Sequence, residues 1–387
     1  MKKIVLSSFA AVSVLMAGGY KIPESSLNAV ALSSAYVANA HGADAAYYNP
    51  ANMVFSDNKD GAIEVDATYI GLSKIDFKNS AGTVDISSKP ESFAVPTFHY
   101  VSPAFDEARF GFSIVSPVGL SKRWSDTPAS LTANEFTLKT VEFNPSLAYK
   151  LNDKLAVAFG LRAIYSSGVV KNAGYKMDGE GFDYGYNFAL TLRPDKDTNI
   201  ALTYRSQIDL HISGDTFMVA AGNNGGVKVS VPVPAVISIA ASHTYDNDTT
   251  VEAVFEHNVW SAYEKLDFDF SDPTADALFG SARAKNWQDT DTFRLGLTHK
   301  YKKTTAMVGF AYDPSPVPNS TLGYELPDST GKIFSLGGRY DISDTLNVGI
   351  AGLIDVKDDR KVHNTSIDGK FTSSRAYLVT AGVEYRF

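Results

Sequence analysis

The stretch LAVAFGLRAIYSS, residues 155–167, alternates large apolar side chains with small or polar ones along its whole length. Successive side chains of a β-strand point to opposite faces, so this stretch predicts a strand with one apolar face. Leu155 and Phe159 lie on that face, and Arg162 lies on the other. A transmembrane β-strand has this pattern over about ten residues, but a strand of a soluble β-sandwich has the same period.

Three further stretches repeat the alternation. They are TFRLGLTHKY (residues 292–301), TLNVGIAGLIDV (345–356) and YLVTAGVEYRF (377–387). The last stretch ends in the aromatic residue Phe387, an ending that is typical of bacterial outer-membrane proteins. Because alternation alone does not separate a membrane barrel from a soluble sheet, the connections between strands have to decide.

The connections between the predicted strands are alternately short and long. The short ones are tight and polar, at residues 103–108, 151–154, 193–198, 245–250, 301–304 and 340–345. The long ones are rich in Gly, Asp, Ser or Pro, near residues 79–90, 125–133, 171–181, 214–225, 261–285, 314–330 and 357–372. Outer-membrane barrels have this asymmetry, with short periplasmic turns and longer extracellular loops.

Fourteen strands follow from the alternating stretches and their connections. Their approximate bounds are residues 62–78, 91–103, 107–124, 134–150, 153–170, 182–193, 197–213, 226–243, 248–260, 286–300, 303–313, 331–341, 344–356 and 373–387. The even count places both ends of the barrel on the side of the short, periplasmic turns. A sheet in lipid has to close because no edge can face hydrocarbon. The sequence therefore predicts an all-β fold, a fourteen-stranded antiparallel transmembrane β-barrel over residues 61–387.

Composition argues against several other classes of protein. The net charge of −8 argues against binding of nucleic acid, which needs a basic surface to neutralise phosphates. Cysteine is absent, which excludes disulfides, thiolate nucleophiles and cysteine zinc sites. The histidines have no metal-binding spacing, and no G-x-S-x-G or Walker-type motif occurs. We therefore expect no catalytic residues, no metal, no cofactor and no enzymatic activity, with a Ser/His hydrolase assembled in space as a minor alternative.

The N-terminus has the pattern of a secretory signal peptide. MKK (residues 1–3) is basic, IVLSSFAAVSVLMA (4–17) is apolar, and the small residues AGG (17–19) follow. The apolar stretch is shorter than the roughly 20 residues that span a bilayer. We predict a signal peptide over residues 1–17, cleavage after Ala17 or within a few residues of it, and export of the protein.

Residues 18–60 lack the barrel alternation and are rich in Ala, Ser and Asn. They are too long for a leader and too polar to span a membrane. A fourteen-stranded barrel encloses a lumen wide enough to need filling or to act as a pore. Pro50 fixes its own φ and keeps Asn49 out of the helical region, so YYNPAN interrupts the chain. We predict that residues 18–60 form a small N-terminal hatch, or plug, inside the barrel.

The stretch ALSSAYVANAHGADAAYYNPANM (residues 31–53) resembles the plug signature of the FadL/TodX family of outer-membrane transporters for long-chain fatty acids and other hydrophobic compounds. The resemblance continues through SPVGLSKRW (116–124), NPSLAYKLNDKLAVAFGL (144–161), IALTYRSQIDLHISG (200–214) and DPSPVPNSTLGYELPDS (313–329). It implies a fourteen-stranded barrel with a hatch, in agreement with the strand count. It also implies that Asn49, Pro50 and Ala51 lie near the junction of hatch and barrel.

The resemblance further implies a sideways exit for the ligand, through a gap in the wall where the third strand bends inward. The segment SPVGL (116–120) matches that bend. Pro117 cannot donate a ladder hydrogen bond and Gly119 has no side chain to pack, so both suit a break in a sheet. A third strand that merely ends early is the alternative.

A fatty-acid pocket needs an apolar lining and, for the carboxylate, at least one cation or a cluster of hydrogen-bond donors. The resemblance implies a basic residue at Lys171 and a second near Lys265, where Asp267 is the alternative match. Alternation adds Arg162 as a third candidate for substrate binding, on the lumen face. The alternatives are that basic residues near strand ends meet lipopolysaccharide phosphates, and that lumen charges pair with Asp or Glu.

We therefore predict an integral protein of the bacterial outer membrane that passes hydrophobic molecules by passive diffusion, without ATP or ion coupling. Long-chain fatty acids are the first expected substrates, and aromatic or aliphatic hydrocarbons are the alternative. A general diffusion porin is the other alternative, but a porin folds a long loop inward and lacks an N-terminal hatch. The expected partners are the hydrophobic ligand, outer-membrane lipid and lipopolysaccharide, and the expected state is a monomer.

Overall fold

The computed structural model describes residues 18–219 and 222–387, and fourteen of its strands form one closed antiparallel barrel. The barrel strands are β1 (Ala62–Leu72), β2 (Glu91–Val101), β3 (Ala108–Val115 and Gly119–Arg123), β4 (Glu135–Asn152), β5 (Leu155–Lys171), β6 (Tyr175–Leu192), β7 (Thr198–Arg205 and Ile208–Met218), β8 (Asn223–Val233 and Ala235–Tyr245), β9 (Thr249–Val259), β10 (Thr290–Tyr301), β11 (Thr304–Asp313), β12 (Gly331–Asp341), β13 (Leu346–Lys357) and β14 (Arg375–Arg386). The predicted fold is confirmed. The predicted signal peptide, residues 1–17, lies outside the described part of the chain.

The barrel closes through its first and last strands. β1 pairs with β14 from Ala62 opposite Arg386 to Leu72 opposite Ala376, and it pairs with β2 on its other side. Closure therefore leaves neither terminal strand with an unpaired edge, as a lipid-embedded sheet requires.

The two faces of the wall differ as the alternation predicts. Outward-facing Leu161 and Leu336 are 57% and 68% exposed, which in a membrane means contact with lipid. The lumen-facing residues Arg162 and Arg294 are each only 2% exposed. The lumen is therefore a packed and partly charged interior rather than an open pore.

The hatch fills the lumen and contains three short helical segments. They are α1 (Leu27–Ala31), α2 (Ala45–Tyr48) and a 3-10 helix (Pro50–Phe55). Ser26 begins α1 by accepting a hydrogen bond of 3.2 Å from the Ala29 N–H, which satisfies one free donor of the first turn. α1 packs on β12, β13 and β14, whereas α2 and the 3-10 helix pack on strands between β2 and β6. The bounds 18–60 for the hatch and 61–387 for the barrel stay predictions.

Polar contacts hold the hatch to the wall. The carboxylate of Glu252 on β9 accepts backbone N–H groups from Val37, Ala38 and Asn39, at 2.6, 2.6 and 3.1 Å. On another part of the wall, Arg339 of β12 donates to Asn28 Oδ1 at 2.7 Å. Hydrogen bonds to charged groups are stronger than neutral ones, so these contacts fix the hatch in one orientation.

Two of the long links expected from composition are shorter than predicted. β5 ends at Lys171 and β6 begins at Tyr175, and β7 and β8 are separated only by residues 219–222, so the predicted links 171–181 and 214–225 are wrong. The cause lies in their glycines, which composition alone assigns to loops. Gly214 is in β7 opposite Gly179 of β6, and a Cβ on Gly214 would meet the Asp178 carbonyl oxygen at 2.0 Å. Glycine permits this close approach of two backbones.

The remaining long links form a cap at one end of the barrel, which we call the loop end. The opposite end carries the short turns near residues 103–108, 151–154, 193–198, 245–250, 301–304 and 340–345. The cap contains α3 (Ala129–Ala133), α4 (Pro273–Phe279) and two 3-10 turns (Trp260–Ala262 and Asn319–Thr321). It also contains short strands at Asp76–Asn79, Asp85–Ser87, Lys265–Leu266, Phe268–Phe270, Arg283–Ala284, Arg360–His363 and Asp368–Thr372. Across the described ranges, no helix has the length and apolar character needed to cross a bilayer.

Candidate transport path

The third strand of the barrel is interrupted. β3 stops at Val115 and resumes at Gly119. The ladder between β2 and β3 covers only Phe98–Val101 of β2. In the described residues the next bridge, between Ser88 and Trp124, lies near the loop end. The wall therefore has an opening in its backbone ladder between these two levels.

Residues 18–22, which we call the tip segment, lie against this interruption on the lumen side. The backbone of the tip segment joins residues 117–119 through two hydrogen bonds, of 2.8 and 2.9 Å, and one antiparallel bridge, between Lys21 and Val118. Buried backbone groups need partners, and here the hatch supplies what a neighbouring barrel strand would supply elsewhere. The interruption is thus paired with the hatch instead of with a neighbouring strand of the wall. The inward kink predicted at Pro117 and Gly119 stays a prediction.

An apolar space of about 50 Å³, the outer cavity, lies between the tip segment and the loop end. The ring of Tyr20 forms its floor and packs edge-on against the Trp260 ring, with centroids 4.9 Å apart. The wall combines side chains from strands and loops, among them Leu138, Val170, Ile212, Phe268, Trp287 and Leu326. This lining suits a hydrophobic ligand.

One ion pair interrupts the apolar lining. Lys285 donates to a carboxylate oxygen of Glu325, and both residues border the outer cavity. Burial alone would raise the pKa of Glu325, but the attraction of the Lys285 ammonium and its hydrogen bond outweigh burial and lower that pKa. Glu325 therefore stays ionised, and the charge of Lys285 is neutralised within the protein.

A second space of about 80 Å³, the inner cavity, lies on the opposite side of the tip segment. It borders Pro117 and Val118 of the interruption. Its other walls combine the charged side chains of Lys21, Arg162, Arg205 and Glu256 with apolar ones, among them Val37, Tyr47 and Val236. The inner cavity is thus the space that adjoins the lumen side of the break in β3.

The charges around the inner cavity are paired. Arg162 and Arg205 both donate to Glu142, with Arg162 Nη2 at 2.9 Å from the carboxylate. Lys21 Nζ lies 2.6 Å from Glu256, and Arg294 lies 3.3 Å from the same carboxylate. Because each of these charges has a partner, the inner cavity offers no free cation.

The structure places the three basic residues expected to contact substrate at different levels. Arg162 borders the inner cavity, where Glu142 occupies its Nε and Nη2. Lys171 ends β5, 2.7 Å from Glu135, and Lys265 lies in the cap, 2.9 Å from Asp267. Neither lysine borders the outer or the inner cavity. The role of these residues in substrate binding stays a prediction.

The predicted hatch residues lie close to the wall. Asn49 Nδ2 donates to the Val37 carbonyl and to Thr191 Oγ1 of β6, both at 2.9 Å. Pro50 is the first residue of the 3-10 helix, where its missing N–H costs no hydrogen bond, and Ala51 is fully buried. These contacts join the hatch to β6.

Sequence reasoning missed three residues that line the outer cavity, Tyr20, Lys285 and Glu325. Tyr20 lies in a stretch with no periodicity, and Lys285 and Glu325 come from two different connections. The two members of that pair are 40 positions apart, so no local spacing could reveal them. The block 313–329 contains Glu325, and that resemblance is the one signal that pointed to the region.

A closed membrane barrel with a filled lumen, an interrupted wall strand and an apolar cavity beside it defines an outer-membrane channel for transport rather than an enzyme. Among the residues that the structure describes, no group of three His, Cys, Asp or Glu side chains could hold a metal. The chain belongs to the family described as outer membrane protein transport protein (OMPP1/FadL/TodX), whose model matches residues 8–387.

Individual relatives are distant in sequence. The long-chain fatty acid transport protein of Escherichia coli K12 is 24% identical over 311 residues, which cover 66% of this chain and 69% of that protein. A Pseudomonas aeruginosa FadL homologue superposes with a TM-score of 0.85 at 17% identity, covering 96% of this chain and 100% of that one. The P. putida toluene transporter TodX gives a TM-score of 0.72 at 16% identity, covering 94% and 99%. At such identities the superpositions show the shared fold.

Proposed function

We propose that this protein lets hydrophobic small molecules diffuse passively from the cell surface into the outer membrane, with a sideways exit at the break in β3. The observation that carries this proposal is the position of the tip segment. It forms the floor of the apolar outer cavity and, through residues 117–119, closes the lumen side of the interrupted strand. A movement of the tip segment would therefore connect the cavity with the break.

The chemistry of the inner cavity supports a sideways route over a route through the full length of the barrel. Below the tip segment a hydrophobic molecule would meet paired charges, among them Arg162 with Glu142 and Lys21 with Glu256. Separating buried ion pairs costs several kcal/mol, on the order of 3–5. Pro117 and Gly119 offer the shorter way, because they border an opening toward lipid, the solvent that a hydrophobic molecule prefers.

The size of the outer cavity supports a path that opens on binding. Its volume of about 50 Å³ is smaller than the roughly 150 Å³ of a cavity that holds benzene. A ligand therefore has to displace part of the lining, and Tyr20 of the tip segment is the part of the floor that belongs to the hatch. Binding and opening are coupled in this proposal.

We propose long-chain fatty acids as the substrates, in keeping with the name of the Escherichia coli relative. Neutral aromatic or aliphatic hydrocarbons are the second candidate, and one observation favours them. The cation of the outer cavity, Lys285, already has Glu325 as its counter-charge, so the lining offers no free charge to a carboxylate. The two candidates share the same cavity and exit.

Uptake in a strain that lacks the gene, with and without the gene on a plasmid, tests the proposal. We expect the gene to increase uptake of oleate or of toluene several-fold and to leave uptake of sugars unchanged. Purified protein in liposomes should give no swelling with sugars. Rapid sugar entry would instead indicate a general porin, and increased uptake of neither hydrophobic probe would contradict the proposal.

A further inference from the structure

Three carboxyl groups face a single lysine near the loop end of β11–β13. They belong to Asp313, Asp328 and Asp355, and together with Lys357 we call them the acidic cluster. Lys357 Nζ lies 3.3 Å from Asp328 Oδ1 and 3.5 Å from Asp355 Oδ2. All four residues are at most 7% exposed. Buried charges are costly unless they are paired, so this site contains more acid than its own lysine can balance.

The neighbouring hydroxyl groups do not neutralise the excess negative charge of the acidic cluster. Hydroxyl groups of Thr292 and Ser315 donate to one oxygen each of Asp313 and Asp328. Within the described residues, neither carboxyl oxygen of Asp355 accepts a hydrogen bond of good geometry, and the Lys357 ammonium, 3.5 Å from Oδ2, is its ion-pair partner. The site thus has acceptors that are still to be satisfied.

Several other charged groups lie near the cluster. Lys122 and Arg375 border the same small cavity as Asp355 and Lys357. Glu24 adds a further acid and lies 3.9 Å from Arg294, which also serves Glu256. Arg360 donates to the main-chain carbonyl of Asp328 rather than to its carboxylate. Neither Arg294 nor Arg360 therefore donates a hydrogen bond to a carboxylate of the three aspartates.

The start of the tip segment lies in the acidic cluster. Gly18 N donates to Asp313 Oδ2 at 2.5 Å, and Gly19 N donates to Asp328 Oδ2 at 3.2 Å. Gly19 has a φ of +76°, and a Cβ there would meet the Trp260 ring at 2.7 Å. Only glycine fits this conformation and this space, so the fit places the Gly18 nitrogen against the aspartates.

We propose that the acidic cluster is a binding site for the α-ammonium group that cleavage after Ala17 creates on Gly18. The proposal rests on the predicted cleavage position in AGG (residues 17–19). An amide at Gly18 offers one hydrogen and no charge. A free ammonium offers three hydrogens and a positive charge, so it can bind Asp313 and also reduce the excess of acid. Cleavage thus supplies a second cation to the site, in addition to Lys357.

The binding site has a structural consequence for the tip segment. Charge-assisted hydrogen bonds at Gly18 hold one end of it, while its other end pairs with residues 117–119. The new N-terminus therefore tethers the element that, under the proposed function, separates the outer cavity from the break in β3. The site itself does not depend on which substrate passes.

The first test is chemical. The protein is purified from outer membranes in detergent and treated at pH 8 with the acetyl ester of N-hydroxysuccinimide, and mass spectrometry follows the N-terminal peptide. An ordinary α-amine has a pKa of about 8 and reacts readily. We expect Gly18 to be the first residue and its amine to react at least about tenfold more slowly in the folded protein than in urea. A different first residue, or equal rates, would overturn the proposal.

The second test separates charge from burial. Asp355→Asn keeps the size of the side chain and removes its charge, so we expect the Gly18 amine to react several-fold faster than in the parent protein. Asp358→Asn is the matched control, since Asp358 is half exposed and pairs with Lys332 outside the cluster. If Asp355→Asn leaves the reaction rate of the amine unchanged, the carboxylates do not bind it and the proposal fails.

The third test moves the ammonium without touching the barrel. A serine inserted between Ala17 and Gly18 should displace the charge from Asp313, lower the thermal midpoint of the purified protein and expose the amine to acetylation. Val12→Leu, within the predicted signal peptide, is the control because it leaves the mature chain unchanged. A correctly cleaved insertion variant that matches the parent protein in both measurements would overturn the proposal.

Discussion

The outer and the inner cavity lie on either side of the same short tip segment, yet their walls differ in the number of charged side chains. The outer cavity is lined by aromatic and aliphatic side chains and contains one ion pair. The inner cavity is bordered by four charged side chains that are all engaged in ion pairs. A hydrophobic molecule gains by contact with the apolar side chains of either space, but in the inner cavity it also meets more charged groups, whose desolvation is costly. The difference explains why a transport path through this barrel would turn sideways at the boundary between them.

The largest effect is expected from fixing the tip segment, which separates the two cavities. Lys21 and Val118 pair across an antiparallel bridge, so their Cα atoms are about 4.5–5.5 Å apart, within the range of a disulfide. The chain has no cysteine of its own. We expect the double variant Lys21→Cys, Val118→Cys to lose hydrophobic uptake under oxidising conditions and to regain it after reduction. Each single variant is the control, and full uptake by the oxidised double variant would contradict a moving boundary.

The ion pairs around the inner cavity predict a large effect on stability. Glu142 is fully buried and accepts hydrogen bonds from both Arg162 and Arg205. Glu142→Ala leaves the buried guanidinium of Arg162 and the partly buried one of Arg205 without a carboxylate partner, so we expect a loss of about 3–5 kcal/mol in the free energy of unfolding. Urea unfolding in detergent micelles measures it.

An exposed ion pair provides the matched control for that loss. Glu107 is half exposed and lies 3.5 Å from Lys150 at a short turn. We expect Glu107→Ala to change the free energy of unfolding by less than about 1 kcal/mol. Equal effects of the two variants would mean that the ion pairs around the inner cavity contribute no more to stability than an exposed pair.

The ion pair of the outer cavity predicts an intermediate effect on the selectivity between oleate and toluene. Glu325→Gln removes the counter-charge of Lys285 beside the outer cavity, and a fatty-acid carboxylate can then take that place. We expect oleate to bind about tenfold more tightly, which corresponds to about 1.4 kcal/mol, and toluene to bind with unchanged affinity. Fluorescence titration of the purified protein measures both. Asp267→Asn, which frees the exposed Lys265, is the control, and equal gains in the two variants would exclude a special role of Lys285.

The smallest effect is expected far from both cavities. Lys171 is 41% exposed at the loop end and pairs with Glu135. Exposed ion pairs contribute about 0–1 kcal/mol to stability, and Lys171 borders neither cavity. We therefore expect Lys171→Ala to change oleate binding less than about fivefold, which corresponds to about 1 kcal/mol. A larger loss for oleate with unchanged toluene binding would support the assignment made from sequence. The acid-binding position would then lie outside the outer cavity.

Much of the fold follows from the sequence because a membrane barrel imposes one local rule on every strand. The alternation in residues 155–167 defines β5 within a few residues and puts Arg162 on the lumen side. The interrupted third strand is also a local feature, visible in the proline and glycine of residues 116–120. Glycine misleads the same reasoning in β6 and β7, where it serves close backbone contact instead of a turn.

The candidate site follows far less from the sequence because its contacts join distant positions. Gly18 and Asp313 are 295 positions apart, and the members of the Lys285–Glu325 pair come from two separate connections. Such pairings depend on how hatch and loops fold into the lumen. Neither periodicity nor motif spacing encodes that arrangement.

The pairing of β1 with β14 has a consequence for how the molecule is made. These strands come from opposite ends of the barrel sequence, so the seam between them forms only after all the intervening strands have been exported. Contacts between such distant segments form slowly, and strands that wait for partners are prone to aggregation. Once the seam has closed, the wall encloses the helices of the hatch. Biogenesis therefore ends with one event that both completes the membrane wall and traps its contents.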